Sequence, residues 1–239
     1  MIYKQTQNCR ICKSIDLVTI LNLGTQCLTG VFPNPSAPNI ESGPLELVKC
    51  GECHLVQLAH SYELSKLYGN TYGYRSGLNA SMVKHLESKA NGLLQKSSLN
   101  PEDVVLDIGS NDGTTLGAYQ RRDLTFIGMD PSADKFRKYY KSDIQLITDF
   151  FSAKNFQKAL PNRKAKIVTS IAMFYDLEDP IDFAKQVASI LDQDGLWVLE
   201  QSYLPAMVEA MAYDTVCHEH LEYYALYQIK KIMDAAALK

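Results

Sequence analysis

The sequence predicts an α/β chain, a doubly wound and mostly parallel sheet preceded by a small cysteine-stapled module. Three observations carry that expectation. Five short apolar runs alternate with helical periodicities between residues 104 and 200. The first run passes straight into a glycine-rich turn, VVLDIGSNDGTTL, residues 104–116. Four of the six cysteines form two CxxC pairs near the N-terminus. Alternating strands and helices of this kind build a parallel sheet covered on both faces.

The pairs are Cys9-Arg-Ile-Cys12 and Cys50-Gly-Glu-Cys53. In a reducing compartment, two such pairs read as one tetrahedral zinc site, the other reading being two separate redox pairs. LVTIL and LELVKC flank the intervening segment as short strands. FPNPSAPNIESGP, residues 32–44, is too rich in proline to be helical. Cys27 and Cys217 are left over, and each reads as a small buried apolar residue. A boundary near residue 75 separates this module, 1–75, from a larger domain, 76–239.

A helix is expected from Asn79 onward. Val83, Leu86, Ala90, Leu93 and Leu94 recur at three- and four-residue steps, with Lys84, Glu87 and Lys89 on the other face. Strands follow at Val104–Asp107, Phe126–Asp130, Ile144–Thr148, Ile167–Phe174 and Leu196–Glu200. Between the last two, Asp179 can cap a helix and Pro180 suits its first turn. Phe183, Val187, Ile190 and Leu191 form its stripe, and DQDG closes it. Beyond Glu200, AMVEAMAY and LYQIKKIMDAAAL read as helices.

Composition narrows the function. The 239 residues carry a net charge of −3 and 46% hydrophobic residues, with no run of Lys or Arg. That argues against a nucleic-acid footprint. The N-terminus MIYKQTQNCRIC has no apolar core of a secretory signal, and no apolar run approaches a membrane span. A cytoplasmic protein is expected.

The glycine turn follows the first strand, where such sheets bind nucleotide-like cofactors. The dinucleotide pattern GxGxxG lacks its middle glycine here, since the run is Gly109-Ser110-Asn111-Asp112-Gly113. Asp107 ends the strand and suits an ammonium group better than a phosphate. Asp130 ends the next strand, where a carboxylate accepts from ribose hydroxyls. Asp149 follows the third strand and could meet an adenine amino group. Phe150 could lie on that ring, or it and Phe151 could be plain core packing. These residues favour S-adenosylmethionine (SAM) over NAD.

The stretch YDTVCHEHLEYYAL, residues 213–226, sets His218 and His220 around Glu219. Histidines at i, i+2 do not share a helix face, so a metal pair is disfavoured. One reading is a polar helix start; the other is acid–base chemistry by a histidine that a carboxylate orients.

The CxxC…CxxC module, DIGSNDGTTL and the downstream HEH, in that order, resemble the zinc-containing SAM-dependent sugar C-methyltransferases. The resemblance runs over essentially the whole chain. It implies a Rossmann-like class I methyltransferase sheet and a nucleotide-linked keto-deoxysugar substrate. It implies SAM held by Asp107, Gly109, Ser110, Asn111, Gly113 and Asp130, with His220 as general base and Glu219 and His218 beside it. It also implies a sugar pocket lined by Tyr72 and Tyr74, and structural zinc on Cys9, Cys12, Cys50 and Cys53. Two departures are visible. Cys217 stands where family members often carry Tyr, and the family continues well past Lys239. A chain short of that C-terminal part is expected to bind zinc and SAM but to turn over poorly unless self-association or a second chain completes the site. Two other classes share some motifs: a SAM-binding remnant or subunit without turnover, and a zinc-bearing RNA methyltransferase. The acidic composition speaks against the latter.

Overall fold

The computed structural model describes residues 2–29, 36, 40–68 and 72–239. Most of the proline-rich stretch after Gly30 therefore lies outside the described residues. In chain order the elements are β1 (Tyr3–Gln5), β2 (Leu17–Cys27), β3 (Ser42–Cys50), β4 (Val56–Leu58), β5 (His60–Tyr62), α1 (Leu64–Leu67), α2 (Ala80–Lys96), β6 (Val104–Ile108), α3 (Thr114–Ala118), β7 (Thr125–Met129), β8 (Ile144–Ile147), α4 (Ala153–Ala159), β9 (Ala165–Ile171), α5 (Pro180–Ile190), β10 (Leu191–Glu200), α6 (Leu204–Glu209), β11 (Glu222–Tyr223) and α7 (Leu226–Ala235). Three 3₁₀ turns intervene at Ser76–Leu78, Ala133–Tyr139 and Phe174–Asp176.

Two compact units emerge, and they do not follow a single cut in the sequence. The first comprises residues 1–73, 174–185 and 201–239; the second comprises 74–173 and 186–200. The segment expected as one domain, 76–239, thus contributes to both units.

The second unit holds a five-stranded sheet in the order β10-β9-β6-β7-β8, with every neighbouring pair parallel. The chain runs outward from β6 through β7 to β8, then returns to the other side of β6 for β9 and β10. That reversal opens a crevice at the carboxyl end of β6, where ligands of such sheets bind. The strands are apolar because both faces are covered: Val105, Phe126 and Ile167 pack with Leu116, Tyr119 and Leu93 in a continuous core. α2 is capped by Asn79, whose side chain accepts from the backbone N–H groups of Ser81 and Met82. Pro180 opens α5 as expected, and the Asp179 carboxylate accepts from the Asp182 N–H at 3.1 Å. Here the strand bounds shift. β10 starts at Leu191 with a register irregularity before Leu196, so DQDG forms a bulge inside a strand instead of a free helix end.

The first unit pairs β1 with β5 antiparallel and builds a second antiparallel sheet in the order β11-β4-β3-β2. Leu45, Leu47, Val56, Leu58, Leu221 and Tyr223 form its core. The two residues of β11 come from the far end of the chain and pair with β4, Glu222 opposite Gln57. Residues 214–220 run as turns, so the polar helix start considered for HEH is replaced by an irregular approach to β11. Cys27 is exposed at the end of β2, correcting its expected burial; Cys217 is partly buried.

Candidate active site and metal centre

The two CxxC segments fold into matching knuckles. In the first, the Cys9 N–H donates to the Ser14 carbonyl at 2.8 Å and the Lys13 N–H donates to the Cys9 carbonyl at 3.0 Å. In the second, Cys50 donates to Leu55 at 2.9 Å and His54 to Cys50 at 3.1 Å. The residue after each second cysteine takes the left-handed region, Lys13 at φ 61° and His54 at φ 59°. This tight turn carries both sulfurs of a pair to one side. All four Sγ atoms lie within 4.8 Å of one another, with Cys9–Cys53 at 3.4 Å and Cys12–Cys50 at 3.5 Å. A tetrahedral zinc with Zn–S of about 2.3 Å needs sulfurs roughly 3.8 Å apart, so the donor set fits. The neighbouring Cys53 thiol and burial push the Cys9 thiol up to about 12. Four sulfurs this close become thiolates together only around a cation.

Arg10, inside the first pair, is buried and reaches inward. Its guanidinium donates to the Leu58 carbonyl at 2.8 Å and to the Ser61 and Thr6 hydroxyls at 2.8 and 3.1 Å. Its Nε lies 3.6 Å from Glu222 of β11. On the other knuckle, the Gln228 amide donates to the Cys53 carbonyl at 2.8 Å. The first unit is thus laced around the metal site by groups far apart in sequence.

In the second unit the glycine turn sits at the end of β6. Gly109 and Gly113 take φ of 75° and 76°, and Asn111 takes 49°. A side chain at Gly113 would meet the Tyr140 ring at 2.8 Å, and one at Gly109 would meet Met173 at 3.0 Å. Asp107 is buried and accepts from the Thr169 hydroxyl of β9 at 2.5 Å; burial raises its carboxyl to about 7. Asp130 shapes the turn, accepting from the Asn111 N–H at 2.9 Å and from the Ser132 N–H and hydroxyl at 2.6 Å. The Tyr140 hydroxyl pairs with Ser110 Oγ at 2.8 Å and donates to the Asn111 carbonyl at 2.9 Å. Residues 74–77 lie along the same turn. The Asn111 amide pairs with the Tyr74 carbonyl and the Ser76 N–H, and Asp112 accepts from the Gly77 N–H at 2.9 Å. Beyond β8, Asp149 accepts from the Phe150 N–H at 2.8 Å and from Asn155 at 3.0 Å. Phe150 is 45% exposed, so core packing is excluded for it.

The HEH segment lies in the first unit. His218 is fully buried, edge-on to the Tyr62 ring at 4.8 Å, with Nε2 3.3 Å from the Gly43 carbonyl. Glu219 accepts from the Thr29 hydroxyl at 2.5 Å. His220 is placed differently. Its Nδ1 lies 2.9 Å from the Thr215 carbonyl, so the proton sits on Nδ1 and the Nε2 lone pair is left without a hydrogen-bond partner among the described residues. The Tyr175 ring lies against it, centroids 4.1 Å apart and tilted by 51°. Burial holds both histidines below their ordinary pKa, hence neutral near pH 7. Tyr72 lies 5.3 Å from the Tyr68 ring in this unit, whereas Tyr74 belongs to the second unit and is half exposed.

Residues 82–239 match the family model described as a methyltransferase domain. The chain belongs to that family. Residues 9–68 of this methyltransferase match a zinc binding domain family. Among curated relatives, the C-methyltransferase NovU of Streptomyces niveus is 25% identical over 241 residues, covering 100% of this chain and 57% of NovU. The chain therefore spans little more than half the length of that relative. Two solved structures share the fold. A chain in the complex of the Haloferax volcanii Trm112 methyltransferase activator with a methyltransferase is 20% identical, with a TM-score of 0.50 over 65% of this chain and 72% of that one. The plantazolicin methyltransferase BamL, in complex with a desmethyl analogue and SAH, is 16% identical, with a TM-score of 0.52 over 66% and 63%.

The chain carries a SAM-binding methyltransferase domain with a class I Rossmann-like sheet, and a zinc-binding cysteine cluster. Four thiolates leave zinc no open position, so its role is structural. No described helix is long and apolar enough to cross a membrane. Sequence reasoning missed Arg10, Thr29, Tyr68, Tyr140 and Asp176. Only Asp176 carried a readable signal: it is a carboxylate just past the carboxyl end of a sheet strand, where α/β enzymes place functional groups.

Proposed function

We propose that this enzyme methylates carbon on a nucleotide-linked keto-deoxysugar, with His220 as the base that removes the proton beside the ketone. The observation that carries this reading is the fixed tautomer of His220. A donor Nδ1–H anchored on the Thr215 carbonyl leaves Nε2 as an oriented, neutral acceptor. That is the state a general base needs at neutral pH. His218, held on both sides by Gly43 and Thr29, keeps the segment in place. Glu219 lends its charge to His220 and steadies the imidazolium once it forms. SAM supplies the electrophilic methyl group. Around it, Gly109 and Gly113 let the loop backbone approach, and Ser110, Asn111 and Asp130 hold that loop's shape. Asp107 would meet the methionine ammonium group, and Asp149 with Phe150 would meet the adenine. Tyr72 and Tyr74 line the sugar. The 25% identity to a C-methyltransferase over the whole chain supports carbon as the acceptor atom. Six unpaired cysteines suit a cytoplasmic setting, and a second chain or a second copy supplies any wall the sugar site still needs.

The test is solvent exchange. His220→Asn should keep SAM affinity and zinc content while abolishing loss of the sugar's C–H proton into deuterated water. Undiminished exchange in that variant rejects the assignment.

A further inference from the structure

Two residues of the first unit form a polar pair that the reading above does not use. Asp176 ends the 3₁₀ turn after β9, and its Oδ2 lies 2.7 Å from the Tyr68 hydroxyl. Its other oxygen, Oδ1, is shut off from solvent and has no hydrogen-bond partner among the described residues. Among the described residues no cation bonds Asp176. The titratable groups around it are Glu219, Glu222, Cys217, Tyr68, Tyr223 and Tyr224, and they are acidic or neutral. Arg10, a buried cation of the same unit, stands against Glu222 and Glu178.

A buried carboxyl in such company keeps its proton, because ionising it would add a charge to a low-dielectric, already acidic region. Burial, and then the Glu219 charge, holds Asp176 well above the usual carboxylate range. Burial, and then the neighbouring Asp176 carboxyl, hold Tyr68 above its own range. The neutral pair therefore carries two O–H protons and makes one mutual hydrogen bond. One donor is left without an acceptor among the described residues. Leaving it so costs about 1–3 kcal/mol. The residue before Asp176 touches the HEH segment: the Tyr175 carbonyl accepts from the Leu221 N–H at 2.8 Å, and the Tyr175 ring centroid lies 4.1 Å from that of His220.

We propose that Tyr68 and Asp176 together donate a hydrogen bond to the ketone oxygen of the substrate as charge develops on it, Asp176 acting as a neutral acid. The inference rests on the proposed enolisation chemistry. As His220 Nε2 takes the proton, the C–H bonding pair becomes the new C=C bond and the carbonyl π pair moves onto oxygen. That oxygen is where the spare O–H is needed. In methyl transfer the carbon pair would form the new C–C bond as the sulfonium S–C bond breaks and leaves its pair on the sulfur of SAH. The carbonyl would re-form, the Tyr68–Asp176 pair would keep both of its protons, and the abstracted proton would leave from His220. A donor set in place before charge develops loses nothing to reorganisation, and removing one such donor lowers rates about 10²–10³-fold.

The experiment uses the zinc-loaded 239-residue chain with SAH and a thymidine-diphosphate-linked 4-keto-6-deoxyhexose as probe. Proton exchange at the carbon beside the ketone is followed by NMR across pH. The wild type should lose exchange as pH rises and Asp176 ionises. Asp176→Asn keeps a donor that cannot ionise, so its rate should fall about 10-fold while the high-pH loss disappears. Asp176→Ala should fall about 10²–10³-fold. Unchanged SAM affinity and zinc content show that the variants fold, and Tyr68→Phe serves as the second variant. Infrared difference spectra, wild type minus Asp176→Asn, should show a protonated carboxyl band at pH 7 without any substrate. A missing band, wild-type exchange in Asp176→Ala, or a retained high-pH loss in Asp176→Asn overturns the proposal. Exchange that survives in His220→Asn counts against the base assignment instead. The infrared band still decides the state of the pair.

Discussion

Replacing Arg10 with Met tests how firmly the first unit depends on one buried cation. The substitution keeps most of the side-chain volume and removes donors to Leu58, Ser61 and Thr6, together with the charge 3.6 Å from Glu222. Both side chains are almost wholly buried, 2% and 0% exposed, so solvent cannot take over the lost role. Removing one partner of a buried pair costs about 3–5 kcal/mol, a large share of ordinary domain stability. Glu222 moderates the penalty by taking up a proton, since burial already holds it well above the usual range. A carboxyl whose folded pKa is raised contributes most below its unfolded pKa and loses that contribution as pH rises toward the folded value. Arg10 pulls Glu222 downward, so in the variant this window widens. The loss should be about 4 kcal/mol at pH 8 and clearly smaller at pH 5. Urea titration with a chromophoric chelator reads the first unit through zinc release, while Trp197 fluorescence reads the second. Arg10→Met with Glu222→Leu should recover part of the loss, giving a coupling of about 1–3 kcal/mol. A loss under about 1 kcal/mol, or one that is larger at pH 5, would refute the reasoning.

Asp130→Ala should weaken SAM binding more than Asp130→Asn, by about 1–3 kcal/mol, because alanine frees three donors and asparagine still accepts from some of them; calorimetry showing wild-type affinity in both would contradict it. Gly113→Ala should cost about 1–2 kcal/mol in backbone strain alone, plus displacement of the Tyr140 ring; the companion change Tyr140→Leu should recover only the second part of the lost SAM affinity. The protein purified without added metal should hold one zinc, and Cys12→Ser should lower that content; less than half an equivalent in the wild type, unchanged by the substitution, would remove the tetrathiolate site.

Local signals were legible wherever chemistry is set by neighbours in sequence. Asn79 and Asp179-Pro180 announce the starts of α2 and α5, and the apolar runs give five parallel strands in the second unit. The CxxC spacing gives the sulfur cluster. Long-range pairing was not legible. Nothing in residues 174–185 or 201–239 states that they fold with the N-terminal module, because that depends on β11 meeting β4 and Arg10 meeting Glu222 across the chain. The same holds for Tyr68 and Asp176, 108 positions apart. His220 stood out as a residue, but its tautomer depends on a carbonyl that only the fold supplies.

The two knuckles are separated by 37 residues, and Thr29 and Gly43 both lie inside that interval. Metal binding therefore ties a loop shut, much as a disulfide between Cys12 and Cys50 would. By the same chain-entropy reasoning, the tie removes about 4 kcal/mol of freedom from the unfolded ensemble. The partners of His218 and Glu219 hang from that loop. Chelation should accordingly loosen the HEH segment, while the glycine turn, in the unit that contains none of the four cysteines, keeps its shape. A metal with no part in the reaction would then govern whether the proposed base is in place, and its loss would read as a protein that still takes up SAM but no longer releases substrate protons.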